Sequence, residues 1–186
     1  MTTTETLSAP GLTAGTWMID VAHSEVSFSV RHMMIASVRG SFGAVSGTIK
    51  VGPELTASSI EVEVDTTSVY TRNPKRDEHI RSATFLDVEK YPTATFRSTR
   101  LEPAGVSTAV LTGELTMHGT TREVHFGLRF NGVRVDPWGN TKAGFSAETV
   151  IDRHDFGMVT DMPLDSGELF VGREVTLSIE LEAAAQ

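Results

Sequence analysis

Apolar and polar residues alternate one by one along most of this chain, and that period of two marks it as a β protein. In an extended strand successive side chains point to opposite faces, so alternation separates a dry face from a wet one. Val26, Phe28 and Val30 alternate with Glu25, Ser27, Ser29 and Arg31. Val45, Gly47, Ile49 and Val51 alternate with Ala44, Ser46, Thr48 and Lys50, and Ile60, Val62 and Val64 with Glu61, Glu63 and Asp65. The pattern returns in Ala109, Leu111, Gly113, Leu115 and Met117, then in Val124, Phe126, Leu128 and Phe130. Two more runs are Phe145, Ala147, Thr149 and Ile151, and Val175, Leu177, Ile179 and Leu181. The stretch 93–101 is less regular and reads as a strand on its threonines. An extended piece, 16–21, is expected to enter the first long strand through a bend at Ala22–His23.

Turn-forming residues recur between these runs, at 38–43, 52–53, 103–105, 118–120 and 136–140. Many strands with short connections predict antiparallel hairpins in a sandwich or barrel. One segment departs from this. Asn73 and Pro74 open a stretch of charged residues, Asn as a cap and Pro in a first turn where its missing N–H costs nothing. A single helical excursion near residues 74–90 is therefore expected outside the sheet.

The chain has 186 residues, enough for one domain with a sizeable core. Its formal net charge of -8 repels a phosphate backbone and argues against nucleic acid as a partner. It has no cysteine, which removes disulfides, thiolate metal sites and cysteine nucleophiles. Residues 1–14 lack the basic and apolar runs of a secretory signal, and no apolar run approaches transmembrane length. The expectations are a disordered tail over 1–14, a single domain over 15–183, no transmembrane segment and a cytoplasmic location.

Gly47, Ala109, Gly113, Ala143 and Ala147 occupy inward positions where larger side chains would fill space. They either leave a hollow or mark places where strands bend and pack closely.

Four ordered blocks resemble the YceI family of lipocalin-like, polyisoprenoid-binding bacterial proteins. They are Trp17 to Gly47 (WMIDVAHSEVSFSVRHMMIASVRGSFGAVSG), Arg76 to Phe96 (RDEHIRSATFLDVEKYPTATF), Leu111 to Phe126 (LTGELTMHGTTREVHF), and Ile151 to Gly157 with Met162 to Leu181. The resemblance spans Thr16 to Glu182. It implies an all-β, extended, eight-stranded antiparallel barrel with the helical excursion against it. It also implies an elongated apolar cavity for a polyisoprenoid, such as an isoprenoid quinone tail or polyprenyl lipid, or a related fatty-acid-like amphiphile. A carrier or store that needs no cofactor follows, and a homodimer is a further implication. The alternatives are an enzyme or metal-dependent protein on the same barrel, or an interaction module with a vestigial cavity.

Alternation nominates Phe28, Val30, Val62, Leu115, Phe126, Leu128, Phe130, Phe145 and Ile179 as inward residues able to line a cavity, and ordinary core packing satisfies the same pattern. His32 shares the face of Phe28 and Val30 and offers one polar contact to a head group. Met33, Met34, Met158, Met162 and Leu164 are apolar residues in connections, placed to gate a cavity mouth or to pack over a barrel end. The six histidines show no metal-ligand spacing, so no metal site is expected. Asp152, Arg153 and Asp155 at a strand end are read as fixing a turn. No nucleophile elbow, phosphate loop or dinucleotide fingerprint is present, and no catalysis is expected.

Overall fold

The computed structural model describes residues 7–186. Eleven strand segments form one antiparallel sheet: β1 (Gly15–Ile19), β2 (Glu25–His32), β3 (Ala36–Phe42), β4 (Val45–Val51), β5 (Ser59–Asp65), β6 (Val69–Tyr70), β7 (Thr93–Pro103), β8 (Thr108–Met117), β9 (Thr120–Val135), β10 (Thr141–Asp152) and β11 (Val171–Ala185). Six of the segments are halves of three bent strands. β1 and β2 both pair with β11, β4 and β3 pair with them in turn, and β5 and β6 pair with β4 and β3. The β1–β11 pairing closes the sheet into an eight-stranded barrel, as expected. Eight strands leave an interior wide enough for side chains or one small ligand.

The bend between β1 and β2 has a local cause. The Asp20 carboxylate accepts a hydrogen bond from the Ala22 N–H at 3.0 Å and caps the one-turn 3-10 helix Val21–His23. The turn expected at 38–43 is a strand instead, with β3 running to Phe42 and only residues 43–44 bending into β4. Gly40, part of that misleading signal, is small because the Phe28 ring lies over it. A Cβ there would stand 2.5 Å from the ring.

The excursion is α1 (Pro74–Arg81), begun by Asn73, whose side chain accepts from the Arg76 N–H at 3.1 Å. Asp77 is buried and accepts from both the N–H and the hydroxyl of Thr71. Arg81 donates to the carbonyls of Thr67 and Val69, which ties the helix to the β6 edge. Between Arg81 and β7 the chain makes further turns rather than a second helix.

Two of the inward glycines prove to be close-approach positions. A Cβ on Gly113 would stand 2.4 Å from the Arg97 carbonyl and 2.5 Å from the Phe96 ring, and one on Gly47 only 2.1 Å from the Glu61 carbonyl. Gly113→Leu is thus expected to destabilise the barrel by about 1–3 kcal/mol through overpacking. A thermal-unfolding midpoint at the parent value would contradict that packing.

Residues 7–14, part of the expected tail, lie against the barrel. The Ser8 N–H donates to the Val106 carbonyl at 2.7 Å, Leu12 packs on the core, and the Trp17 indole donates to the Thr13 carbonyl at 3.0 Å. Residues 1–6 of the expected tail lie outside the described residues. Among the described residues no helix is long and apolar enough to cross a membrane.

Candidate functional site

The barrel encloses a cavity of about 160 Å³. One water needs about 10–15 Å³ on this measure, so the space is far larger than a packing defect. Its wall draws on β4, β5, β7, β8, β9, β10 and β11, with Val26 and Phe42 from the β2–β3 hairpin, and among the described residues it includes no charged side chain. Phe96 and Phe126 meet edge to face at 5.2 Å within it, and Phe130 tilts against Phe145 at 5.7 Å.

Seven of the ten nominated lining residues meet around this hollow: Val62, Leu115, Phe126, Leu128, Phe130, Phe145 and Ile179. Phe28, Val30 and His32 do not line it. They share its face of the sheet but stand farther along β2, in the half that pairs with the start of β11. There Phe28 packs 5.7 Å from Phe42, and His32 stacks edge-on against Phe170 at 4.6 Å. Alternation gave the correct face and could not say where along the strand the hollow ends.

The cavity reaches the end of the barrel where β1 starts. Leu7, Ala9 and Leu12 from the N-terminal strap, Leu55 from the β4–β5 loop, and Ser58, Ser59 and Ser107 line it there. Sequence reasoning missed these residues. The available signal was two leucines, Leu7 and Leu12, in an otherwise small and polar stretch.

The proposed gate residues lie at the other end. Met158 is buried with Val69, Leu86 and Phe156 in the core. Met33 and Met162 are exposed, Met34 and Leu164 are half-buried, and none lines the cavity. Arg153 explains how that end is held. Only 2% exposed, it donates to the carbonyls of Gly172, Met158, Thr160 and Val171 and pairs with Asp161. Asp161 also takes His154 Nε2 at 3.0 Å, so its carboxyl is held below the usual range, first by Arg153 and then by His154. Asp152 pairs with Arg173 and is lowered in the same direction. These groups fasten the 157–170 loop.

On the outer wall Asp20, His23 and Glu182 bring possible metal-ligand atoms within 4.8 Å of one another, the trio a cation would need. The Lys142 ammonium already binds Asp20 and stands 3.2 Å from Glu182, filling that role. Hydrogen bonding from Lys142, then from His23, pulls the Asp20 carboxyl from 3.8 down to about 2. A depressed carboxyl stabilises the fold above its unfolded value, and that contribution fades as pH falls from about 4 to 2. Solvent screening of this partly exposed pair limits the effect to about 1 kcal/mol. Lys142→Met should therefore lose stability at neutral pH and unfold with a shallower acid limb across that window. Parallel acid titrations of the two proteins would refute the linkage.

The YceI-like domain matches residues 17–183. A UPF0312 protein of Pseudomonas putida (strain GB-1) is 41% identical over 160 residues, covering 83% of this chain and 82% of its own. A UPF0312 protein of Vibrio cholerae is 38% identical over 148 residues, covering 78% of each chain. Among solved structures, the Campylobacter jejuni YCEI protein superposes with a TM-score of 0.71 at 29% identity, over 84% of this chain and 90% of that one. A structure described as a polyisoprenoid binding domain from Saccharophagus degradans gives a TM-score of 0.71 at 16% identity, over 91% and 98% of the two chains, and so speaks to the fold alone. The chain belongs to the YceI-like family.

Proposed function

We propose that this barrel binds a single long-chain amphiphile, an isoprenoid or a related lipid, with its tail in the cavity, which widens beyond its 160 Å³ as the tail enters, and its head at the serine rim, and serves as a carrier or store. The observation that carries this reading is the cavity wall, which is mainly aliphatic and aromatic, with Thr66, Thr95 and Ser146 as its polar residues away from the β1 end. Its hydroxyls at the β1 end, on Ser58, Ser59 and Ser107, lie beside the strap. Burial of a tail is worth about 0.8 kcal/mol per CH₂, so a chain of isoprene units supplies affinity without a strong polar contact. Selectivity for the head group should then be loose. The described polyisoprenoid binding domain from Saccharophagus degradans, which shares the fold, agrees with this ligand class.

The reading is non-catalytic and needs no cofactor. Its support is that the buried charged groups serve packing: Asp77 caps Thr71, and Arg153 fastens a loop. Organic extraction of the purified protein followed by mass spectrometry is the direct test. A long-chain isoprenoid or acyl lipid recovered near one per chain supports it. Protein that neither retains such a lipid nor takes up an added polyprenol removes it.

On this reading the strap is the retaining element, since Leu7, Ala9 and Leu12 lie along the cavity. Leu12→Ser should raise the rate of tail transfer to acceptor vesicles several-fold, because it exposes the tail beside a polar group. An unchanged transfer rate would show that lipid leaves elsewhere.

A further inference from the structure

Beyond the cavity mouth, the β9–β10 hairpin carries a tryptophan that the fold leaves without a partner. Trp138 is 84% exposed, and Val135 beside it is 67% exposed. The turn that presents them is stiff. Asp136 accepts from the N–H groups of Trp138 and Asn140, both at 2.9 Å, and from the Asn140 side chain at 2.8 Å. The Asp136 N–H donates in turn to the Asn140 carbonyl at 2.9 Å. The hairpin belongs to the mouth. Phe130 on β9 lines the cavity, Val133 lies 3.2 Å from where a Cβ on Gly11 of the strap would stand, and the strap itself lines the opening. Val106, on the β7–β8 turn that holds the strap, is a further exposed apolar residue at this end, at 59%.

We propose that this hairpin tip docks the barrel mouth on a lipid bilayer, with Trp138 and Val135 entering the interface so that a tail passes between membrane and cavity without crossing water. The inference rests on the tail-binding reading and names the partner of the same site. Indole suits the interface, since it pairs an apolar body with one N–H donor. A few side chains on a narrow tip fall well short of the roughly 800 Å² per partner of a stable protein interface. Shallow insertion into lipid needs no such area and no matching shape. Arg134, exposed next to Val135 and without an acidic partner among the described residues, suits the phosphate level.

The native chain carries its own probe. It has two tryptophans, and Trp17 is only 1% exposed and bonded to the strap, so a spectral change on docking that disappears in Trp138→Ala reports Trp138. Phosphatidylcholine vesicles added to the full-length protein should blue-shift its emission, protect it from acrylamide and carry it upward in a flotation gradient. Trp138→Ala should float about ten-fold less, the effect of losing one buried aromatic anchor. Unshifted emission without flotation overturns the proposal, and so does Trp138→Ala floating like the parent. A shift that grows with protein concentration in the absence of vesicles also overturns it, in favour of a second copy on the tip. Uptake of polyprenol added from ethanol is measured in parallel. Uptake without vesicle contact leaves the cavity reading standing and ends the docking proposal. Absence of uptake by protein that also yields no lipid on extraction ends the cavity reading and this inference with it.

Discussion

Ala147→Phe is expected to reduce the lipid recovered from the protein more than ten-fold while leaving a cooperatively folded barrel. Ala147 lines the cavity on β10 and sits in register between Leu128 of β9 and Ile179 of β11, both of which also line it. A phenyl ring built there enters a hollow of about 160 Å³ and takes the space a tail would occupy. The cost in packing is about 1–3 kcal/mol at most, and filling an empty hollow offsets part of it. Extraction with mass spectrometry and thermal unfolding, run on the same preparation, separate the two effects. Ile35→Ser is the control, since Ile35 is 79% exposed on the β2–β3 hairpin at the far end. Lipid at the parent level in folded Ala147→Phe would place the binding site outside the barrel.

The second large effect belongs to Arg153. Replacing it with Met is expected to destabilise the protein by about 3–5 kcal/mol, because the buried guanidinium is lost and the carbonyls of the buried residues Met158 and Gly172 are left without a donor. Four carbonyls lose their donor, and Asp161 loses the cation that holds its carboxyl low. For a chain of this size the melting temperature should fall by roughly 6–20 °C. Arg153→Lys should recover little, since an ammonium cannot reach carbonyls on Met158, Thr160, Val171 and Gly172 as the guanidinium fork does. Hydrogen exchange across 157–170 gives an independent readout, with faster exchange there than in the barrel strands. A melting point within a degree or two of the parent would show that the loop is held by other means.

These two residues show how differently sequence patterns expose structure. Ala147 was legible as inward because its strand alternates cleanly from Phe145 to Ile151. Arg153 was legible as a turn residue from its neighbours, but nothing local indicated that it is buried or that it joins both ends of the 157–170 loop. β3 was misjudged because Gly40 and Gly43 look like turn residues, whereas Gly40 makes room for the Phe28 ring of the adjacent strand. Gly113 has the same origin, and its small size records a contact with Phe96 rather than a void. A contact between strands leaves its mark on one residue without stating its cause.

By itself the sequence determined which side chains face inward along the cleanly alternating strands, where α1 begins and that the chain is all β. Those features follow from backbone geometry over a few residues, the two-residue repeat of a strand and the capping of a first turn. Only the tertiary structure decided where the hollow lies, which end it reaches and which inward residues border it. Phe28 and Phe126 carry the same pattern, yet one packs half-buried against Phe42 toward the far end and the other borders the hollow. The difference depends on how far each hairpin runs past its neighbours and on the N-terminal strap lying across one end. Those placements arise from pairings as distant as β1 with β11, which no local period encodes.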